Sequence, residues 1–183
     1  MKNLFILFFL FIFSASFAQT DKLAKEVLSD IIEHRIIKEG EARVINKLLD
    51  VYLDDFIKKL KEDNGVIYDT KANFNKDSIH LSLKEREYLI TAFRKQKDSI
   101  LWKKDDFSPY KIIEQKDVRA FSNRYNQHHI LDISYPLFIR NNQIALVFFE
   151  ITTKPYAVCH LAFYRKIKGV WRSWICVKEV IED

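Results

Sequence analysis

Glu150 is a carboxylate placed directly after the apolar run Ile144-Ala145-Leu146-Val147-Phe148-Phe149. A charge there either ends the strand in water or is buried with a partner and a shifted pKa. If the turn that follows spans Thr153 to Pro155, Glu150 stands opposite Val158, and His160 is its diagonal neighbour on the same face. An imidazole and a carboxylate on one concave face can work as an acid–base pair. Glu150 and His160 are therefore the candidate catalytic residues of a small hydrolase or lyase, joined by Asp132 only if the neighbouring strand's register cooperates. The competing reading is a structural pair or a solvated strand end, because no nucleophile or oxyanion site accompanies the dyad.

The cysteines come next. If the last hairpin closes through a four-residue loop, Lys166 to Gly169, then Arg165 faces Val170 and Cys159 faces Cys176 directly. Facing residues of a non-hydrogen-bonded pair are close enough for a disulfide; a change of one residue in the loop puts the two side chains on opposite faces, leaving two separately buried thiols. A nucleophilic cysteine needs a base, and His160, adjacent to Cys159, points to the other face of an extended strand.

The five histidines, His34, His80, His128, His129 and His160, show neither helical i, i+4 pairing nor a CxxC companion, so no metal site and no cofactor are expected. Asp50 and Asp54 are one helical turn apart, with Asp55 beside them, but they lie opposite the apolar stripe and read as a solvated face. The same holds for Lys58, Lys59 and Lys61, and for Lys103-Lys104 after Trp102. Aromatic and basic residues alternate at Tyr164-Arg165-Lys166 and Trp171-Arg172-Ser173-Trp174. Such a mixture stacks on ligands or simply packs a sheet; Tyr156, Trp171 and Trp174 are the candidate ligand-binding residues, and an exposed patch of them would mark a structural or inhibitory partner protein.

The elements that must carry these residues follow from periodicity. Apolar positions recur at helical spacing from Asp21 to Leu60 (Leu23, Val27 and Ile31, then Ile45, Leu48, Leu49, Tyr52, Leu53, Phe56, Ile57 and Leu60), and Gly40 breaks the run into helices over 21–39 and 42–62. A short strand is expected at Val66 to Tyr68. Ser82-Leu83-Lys84-Glu85 fits a capping box, which predicts a third helix over 83–97 with Tyr88, Leu89, Ala92 and Phe93 inward. From Ser108-Pro109 onward the pattern is extended. Ile112-Ile113 is a short strand, Val118 to Gln127 a polar connection, and then come strands at 130–134, 137–140, 143–152, 156–165 and 170–178, with an Asn141-Asn142 turn. The run 144–149 is apolar on both faces and belongs at the centre of the sheet with cover on each side.

The first residues carry an address. Lys2 precedes the apolar run Leu4 to Phe13, and Ser16-Phe17-Ala18 is a small-x-small cleavage signal, so residues 1–18 read as a secretory signal peptide cleaved after Ala18. The run is shorter than the ~20 residues a spanning helix needs, and no membrane anchor is expected after cleavage. Of 183 residues, removal of 18 leaves 165, read as one domain over 19–183, its helical part about 21–97 and its sheet part about 110–180. Lys2 is the leader's one charge, so the mature balance is 29 Lys+Arg against 25 Asp+Glu. That excess is ordinary solubility and no nucleic-acid footprint. Three Gly and three Pro with 14% aromatics argue against disorder and against a loop-rich disulfide scaffold.

Helices followed by strands means α+β, with the N-terminal helices packed on one face of a C-terminal antiparallel β-meander of about four strands. The segment Phe163-Tyr164-Arg165-Lys166-Ile167-Lys168-Gly169-Val170-Trp171-Arg172 resembles the penultimate hairpin of NTF2-like and cystatin-like domains, a likeness that covers the last quarter of the chain and implies a pocket between sheet and helices. The stretch Pro136 to Trp174 is similar to small secreted α+β proteins of unknown function, which implies a fold class and no activity. The expectation is a secreted or periplasmic binding domain for an envelope protein or a small ligand. The Glu150/His160 enzyme and the structural partner protein are its alternatives.

Overall fold

The computed structural model describes residues 21–32, 42–48, 53–62, 65–71, 77–97, 99–103, 106–107, 110–120, 129–153 and 156–182. The leader and its cleavage site after Ala18, the Gly40 break, His34, His128 and Asp50 lie outside the described residues. In chain order the elements are α1 (residues 21–32), β1 (Ala42–Ile45), α2 (Leu53–Glu62), β2 (Val66–Tyr68), β3 (Ser78–His80), α3 (Leu83–Lys97), β4 (Lys111–Ile113), a 3-10 turn at Gln115–Asp117, β5 (His129–Ile133), β6 (Leu137–Ile139), β7 (Ile144–Thr153), β8 (Tyr156–Ile167) and β9 (Val170–Glu182).

The fold is α+β around a seven-stranded mixed sheet ordered β4-β1-β5-β7-β8-β9, with β6 also paired to β7, while β2 and β3 form a separate antiparallel ribbon. Its organising element is β7, whose residues Ile144 to Phe149 are all buried. Because side chains alternate along a strand, this one segment feeds two cores. Ile144, Leu146 and Phe148 pack with Phe56, Ile57 and Leu60 of α2, Leu89 and Phe93 of α3, and the ribbon residues Ile67 and Ile79. Ala145, Val147 and Phe149 pack with Val27, Leu28 and Ile31 of α1 and with Trp102 and Phe107. The cover expected on each side of the 144–149 run is present, and helices supply it on both faces, where they were expected on one.

The simple antiparallel meander is corrected in a second way. Ala42–Ile45, read from its spacing as the start of a helix, is a strand parallel to both β4 and β5, and β1 thus falls within the stretch assigned to helices. Val44 and Ile45 are fully enclosed, and β-branched residues in a sheet interior pack better than in a helix, so tertiary context overrides the 3.6-residue period. The third helix has the expected bounds, with Leu89, Phe93 and Gln96 inward and Tyr88 45% exposed.

Local chemistry explains the ends. At the start of α3 the Ser82 N–H donates to Glu85 Oε2 (2.8 Å) and the Glu85 N–H donates to Ser82 Oγ (3.2 Å), a reciprocal capping box. Burial pushes the Glu85 carboxyl up, but hydrogen bonds from Arg140 and Ser82 outweigh it and hold the pKa below its usual value. Arg140, Asn141 and Asn142 take positive φ in the turn before β7. The last hairpin closes through a two-residue turn, Lys168-Gly169, both at positive φ, the mirror-image geometry that matches strand twist.

Two glycines sit at positive φ in different surroundings. A Cβ on Gly169 would meet nothing within 4 Å, whereas one on Gly65 would lie 2.6 Å from the Leu81 carbonyl oxygen. Gly169→Ala should therefore cost only the left-handed strain, about 1 kcal/mol. Gly65→Ala should cost at least about 2 kcal/mol, because overpacking is added. Denaturant midpoints of the two variants measure the difference.

Candidate functional site

The sheet register separates the residues that the sequence grouped. Thr153 pairs with Tyr156, so the β7–β8 connection is one residue shorter than expected and Glu150 faces Cys159, not Val158. A one-residue slip exchanges faces. Glu150 lies on the α2/α3 side of the sheet, across from Asp132, while His160 faces Phe149 on the α1 side and stacks on its ring at 4.9 Å. The expected Glu150/His160 pair is not assembled; the partner of His160 is Glu179, at 3.1 Å from Nε2 to Oε1.

Cys159 and Cys176 are separated for a similar reason. The hairpin turn is two residues shorter than the loop that would align them, and two bulges shift β9 further against β8. Cys159 consequently faces Val180 and Cys176 faces Ala162, and residues an odd number of positions apart on β8 project to opposite faces. Neither thiol is in a disulfide and both are buried, so the disulfide expectation is corrected. Trp171 is a core residue, 2% exposed and packed near Phe138. Trp174 is half-buried, donates its indole N–H to Asp77 (2.9 Å) and lies under the Arg165 guanidinium. The Tyr156 side chain lies outside the described residues, so the exposed patch of the three is not there among the side chains described.

Two of the concave regions among the described residues invite comparison for their clustered polar groups. The larger, an open cleft of about 730 Å³ between α2 and β9, is lined by Lys58, Lys59, Lys71, Lys178, Asp55 and Glu179 among others. Its cations are already engaged. Lys59 donates to the Val177 carbonyl at the bulge (3.0 Å), Lys178 pairs with Asp55 (3.2 Å), and Lys71 pairs with Glu179 (2.7 Å). Thr70 bonds the Cys176 carbonyl through its N–H and its hydroxyl. These bonds hold α2 and the segment after β2 against an edge strand, and a surface of mutually paired charges is an ordinary way to blunt an edge.

The smaller pocket is more enclosed, about 240 Å³, and lies between α1, residues 101–103 with Asp106, and Tyr135; Asp21, Lys25, Leu28, Trp102, Lys103 and Asp106 are among its lining residues. Its walls are fixed from behind. Gln96, 8% exposed on α3, donates Nε2–H to the Tyr135 carbonyl (2.9 Å) and accepts from the Tyr135 N–H (2.8 Å). Trp102 donates its indole N–H to the Ile133 carbonyl (2.8 Å), stacks on Tyr135 at 5.6 Å and meets Phe107 edge-on at 4.6 Å. The Leu101 N–H donates to the Asn46 carbonyl (2.8 Å), tying this wall to the end of β1.

The Tyr135 hydroxyl donates to Asp21 Oδ1 (2.6 Å). Burial, the Asp21 hydrogen bond and charge, and the Asp106 charge all push the Tyr135 phenol well above its usual value, so it is a fixed donor across the physiological range. Asp106 Oδ2 accepts from the Lys103 N–H (2.7 Å). Among the described residues, no ion pair joins Asp21, Lys25, Lys103 and Asp106 to each other or to a neighbour, in contrast to the larger cleft.

No family model, no curated protein and no solved structure matches the chain, and the pocket is weighed on its geometry. Sequence reasoning passed over Tyr135, Trp102, Gln96, Asp21 and Asp106. The one signal available was Gln96, a polar residue three positions after Phe93 on the inward face of α3.

Because folding raises the Tyr135 pKa, its contribution is complete below the unfolded value near 10 and is lost as pH rises past it. Tyr135→Phe should lower stability at pH 7 by about 1 kcal/mol, below the roughly 1.5–3 kcal/mol of a bond to a charged group because the pair borders solvent. The gap should narrow from about pH 10 upward. Denaturant midpoints from pH 7 to 11 give the comparison.

Proposed function

We propose that the chain is a secreted or periplasmic binding domain that holds a small polar ligand in the pocket between α1 and the wall formed by residues 101–103 and Asp106. The observation that carries this reading is the contrast in how the charges are spent. In the α2–β9 cleft the cations are consumed in fastening the fold, whereas around Tyr135 two carboxylates and two ammonium groups border the pocket with no ion pair among the described residues.

Preorganisation supports the same reading. A ligand site works when its side chains are held by packing and hydrogen bonds behind them. A buried glutamine that uses both ends of its amide on the Tyr135 backbone fits that description better than it fits a surface loop. The apolar part of the lining, Ala24, Leu28 and Trp102, belongs to the buried core, so a ligand would rest on rigid material. The leader pattern before Gln19 supports the assignment to the envelope or beyond.

An acid–base enzyme has less support. Glu150 and His160 lie on opposite faces of the sheet, and the His160 imidazole, 3% exposed and stacked on Phe149, offers little surface to a substrate.

Thermal-shift screening of the purified protein against neutral sugars, amino acids, dicarboxylates and polyamines tests the proposal. At least one class is expected to raise Tm, since a ligand at 100 times its Kd stabilises by about 2.7 kcal/mol. The shift should disappear in a variant carrying both Asp21→Asn and Asp106→Asn. A shift that survives those changes, or no shift with any class, would contradict the proposed site.

A further inference from the structure

The charges of the pocket have an order. Asp21 and Lys25 stand one helical turn apart on α1, and Lys103 and Asp106 stand three residues apart on the opposite wall. Each wall thus presents one acid and one base, close enough to act on the same small molecule. Both carboxylates already accept one hydrogen bond that fixes their orientation, from the Tyr135 hydroxyl and from the Lys103 N–H, and each keeps further lone pairs for another donor. The ammonium groups of Lys25 and Lys103 have no partner among the described residues. Behind the charges lies an apolar floor, with Ala24 1%, Leu28 4% and Trp102 5% exposed.

From this arrangement we infer that the ligand is a free α-amino acid with an apolar side chain, bound as its zwitterion. The inference rests on the pocket being the ligand site and goes on to its chemistry. An anion in the pocket would meet the carboxylates of Asp21 and Asp106, and a cation would meet Lys25 and Lys103. Each such repulsion offsets part of what the attractive pair returns, by less than in a buried site because Asp21, Lys25 and Lys103 are exposed. A neutral polyol would use the hydrogen-bonding capacity but leave four formal charges unmatched and the apolar floor facing hydroxyls. A molecule with an ammonium and a carboxylate on one carbon and an apolar substituent on the same carbon matches every wall. Its ammonium would lie between Asp21 and Asp106, its carboxylate between Lys25 and Lys103, and its side chain over Leu28 and Trp102.

The size agrees. Pockets for drug-sized molecules run from about 300 to 1,000 Å³, and 240 Å³ is below that range. A single amino acid fits and an extended peptide or oligosaccharide does not. Electrostatic complementarity of this kind gives discrimination more than raw affinity, so the useful readout is the ratio between close analogues.

Isothermal titration of the purified protein with L-leucine, N-acetyl-L-leucine, L-leucinamide and glucose tests the assignment. L-leucine is expected to bind at least about tenfold more tightly than either blocked analogue, because each lacks one of the two charges. In a Lys25→Met/Lys103→Met variant the preference for L-leucine over L-leucinamide should be lost, with the unliganded Tm unchanged, since both lysines are exposed and in no ion pair among the described residues. Equal binding of L-leucine and its blocked analogues, or binding of glucose in preference to L-leucine, would overturn the amino-acid assignment while leaving a ligand pocket in place. Heat from L-leucine that the double variant does not alter would overturn the pocket itself as the site, and no heat from any of the four would overturn the assignment together with its premise in this pocket.

Discussion

The burial of β7 on both faces is the constraint from which the rest of the structure follows. Six consecutive residues, Ile144 to Phe149, are enclosed, and neither face of such a strand can be left to water without exposing a large apolar area. One face is closed by α2, α3 and the β2–β3 ribbon, the other by α1 together with Trp102 and Phe107. Fully burying each such apolar side chain is worth about 1.5–3 kcal/mol, so leaving out either cover would forfeit several of these contributions at once. The pocket is a product of this second cover. Since α1 and the segment around Trp102 come from distant parts of the chain and meet over the same strand, their polar edges are brought face to face.

The two concave regions show how similar residues can serve different ends. Lysines line both. Beside β9 they are bound to a backbone carbonyl and to carboxylates, and the result is a fastened edge. Beside Tyr135 the charged side chains form no ion pair among the described residues, and the wall opposite α1 is anchored elsewhere, through Gln96, Asn46 and the Ile133 carbonyl. Pairing across the pocket by collapse of the walls would break those anchors, whereas a bound molecule can reach both walls with the anchors intact.

Much of the secondary structure was legible from pattern alone. The α+β class, the capping box at Ser82, the bounds of α3 and the central position of the 144–149 run all follow from period and local chemistry. What was not legible depended on single residues of register. The turn at Lys168-Gly169, two residues instead of four, together with two bulges, moved Cys176 away from Cys159. A β7–β8 connection one residue shorter than assumed sent His160 to the face opposite Glu150. Side-chain alternation has a period of two, so such slips exchange faces completely and no compositional signal warns of them. Strand β1 was hidden differently. Its four residues sit inside an apolar spacing that also suits a helix, and only the parallel pairing with β4 and β5, across many residues of sequence, selects the strand. The pocket was invisible because Asp21, Trp102, Asp106 and Tyr135 are joined by tertiary contact and by no motif.

The central claim is that the opposite charges lining the pocket are joined by a bound zwitterion. A crystal structure of the protein grown with L-leucine tests it most directly. The account predicts the amino acid over Leu28 and Trp102, its ammonium within hydrogen-bonding distance of Asp21 and Asp106 and its carboxylate facing Lys25 and Lys103. A pocket closed by direct Asp21–Lys103 or Lys25–Asp106 ion pairs, with no ligand between the walls, would contradict it.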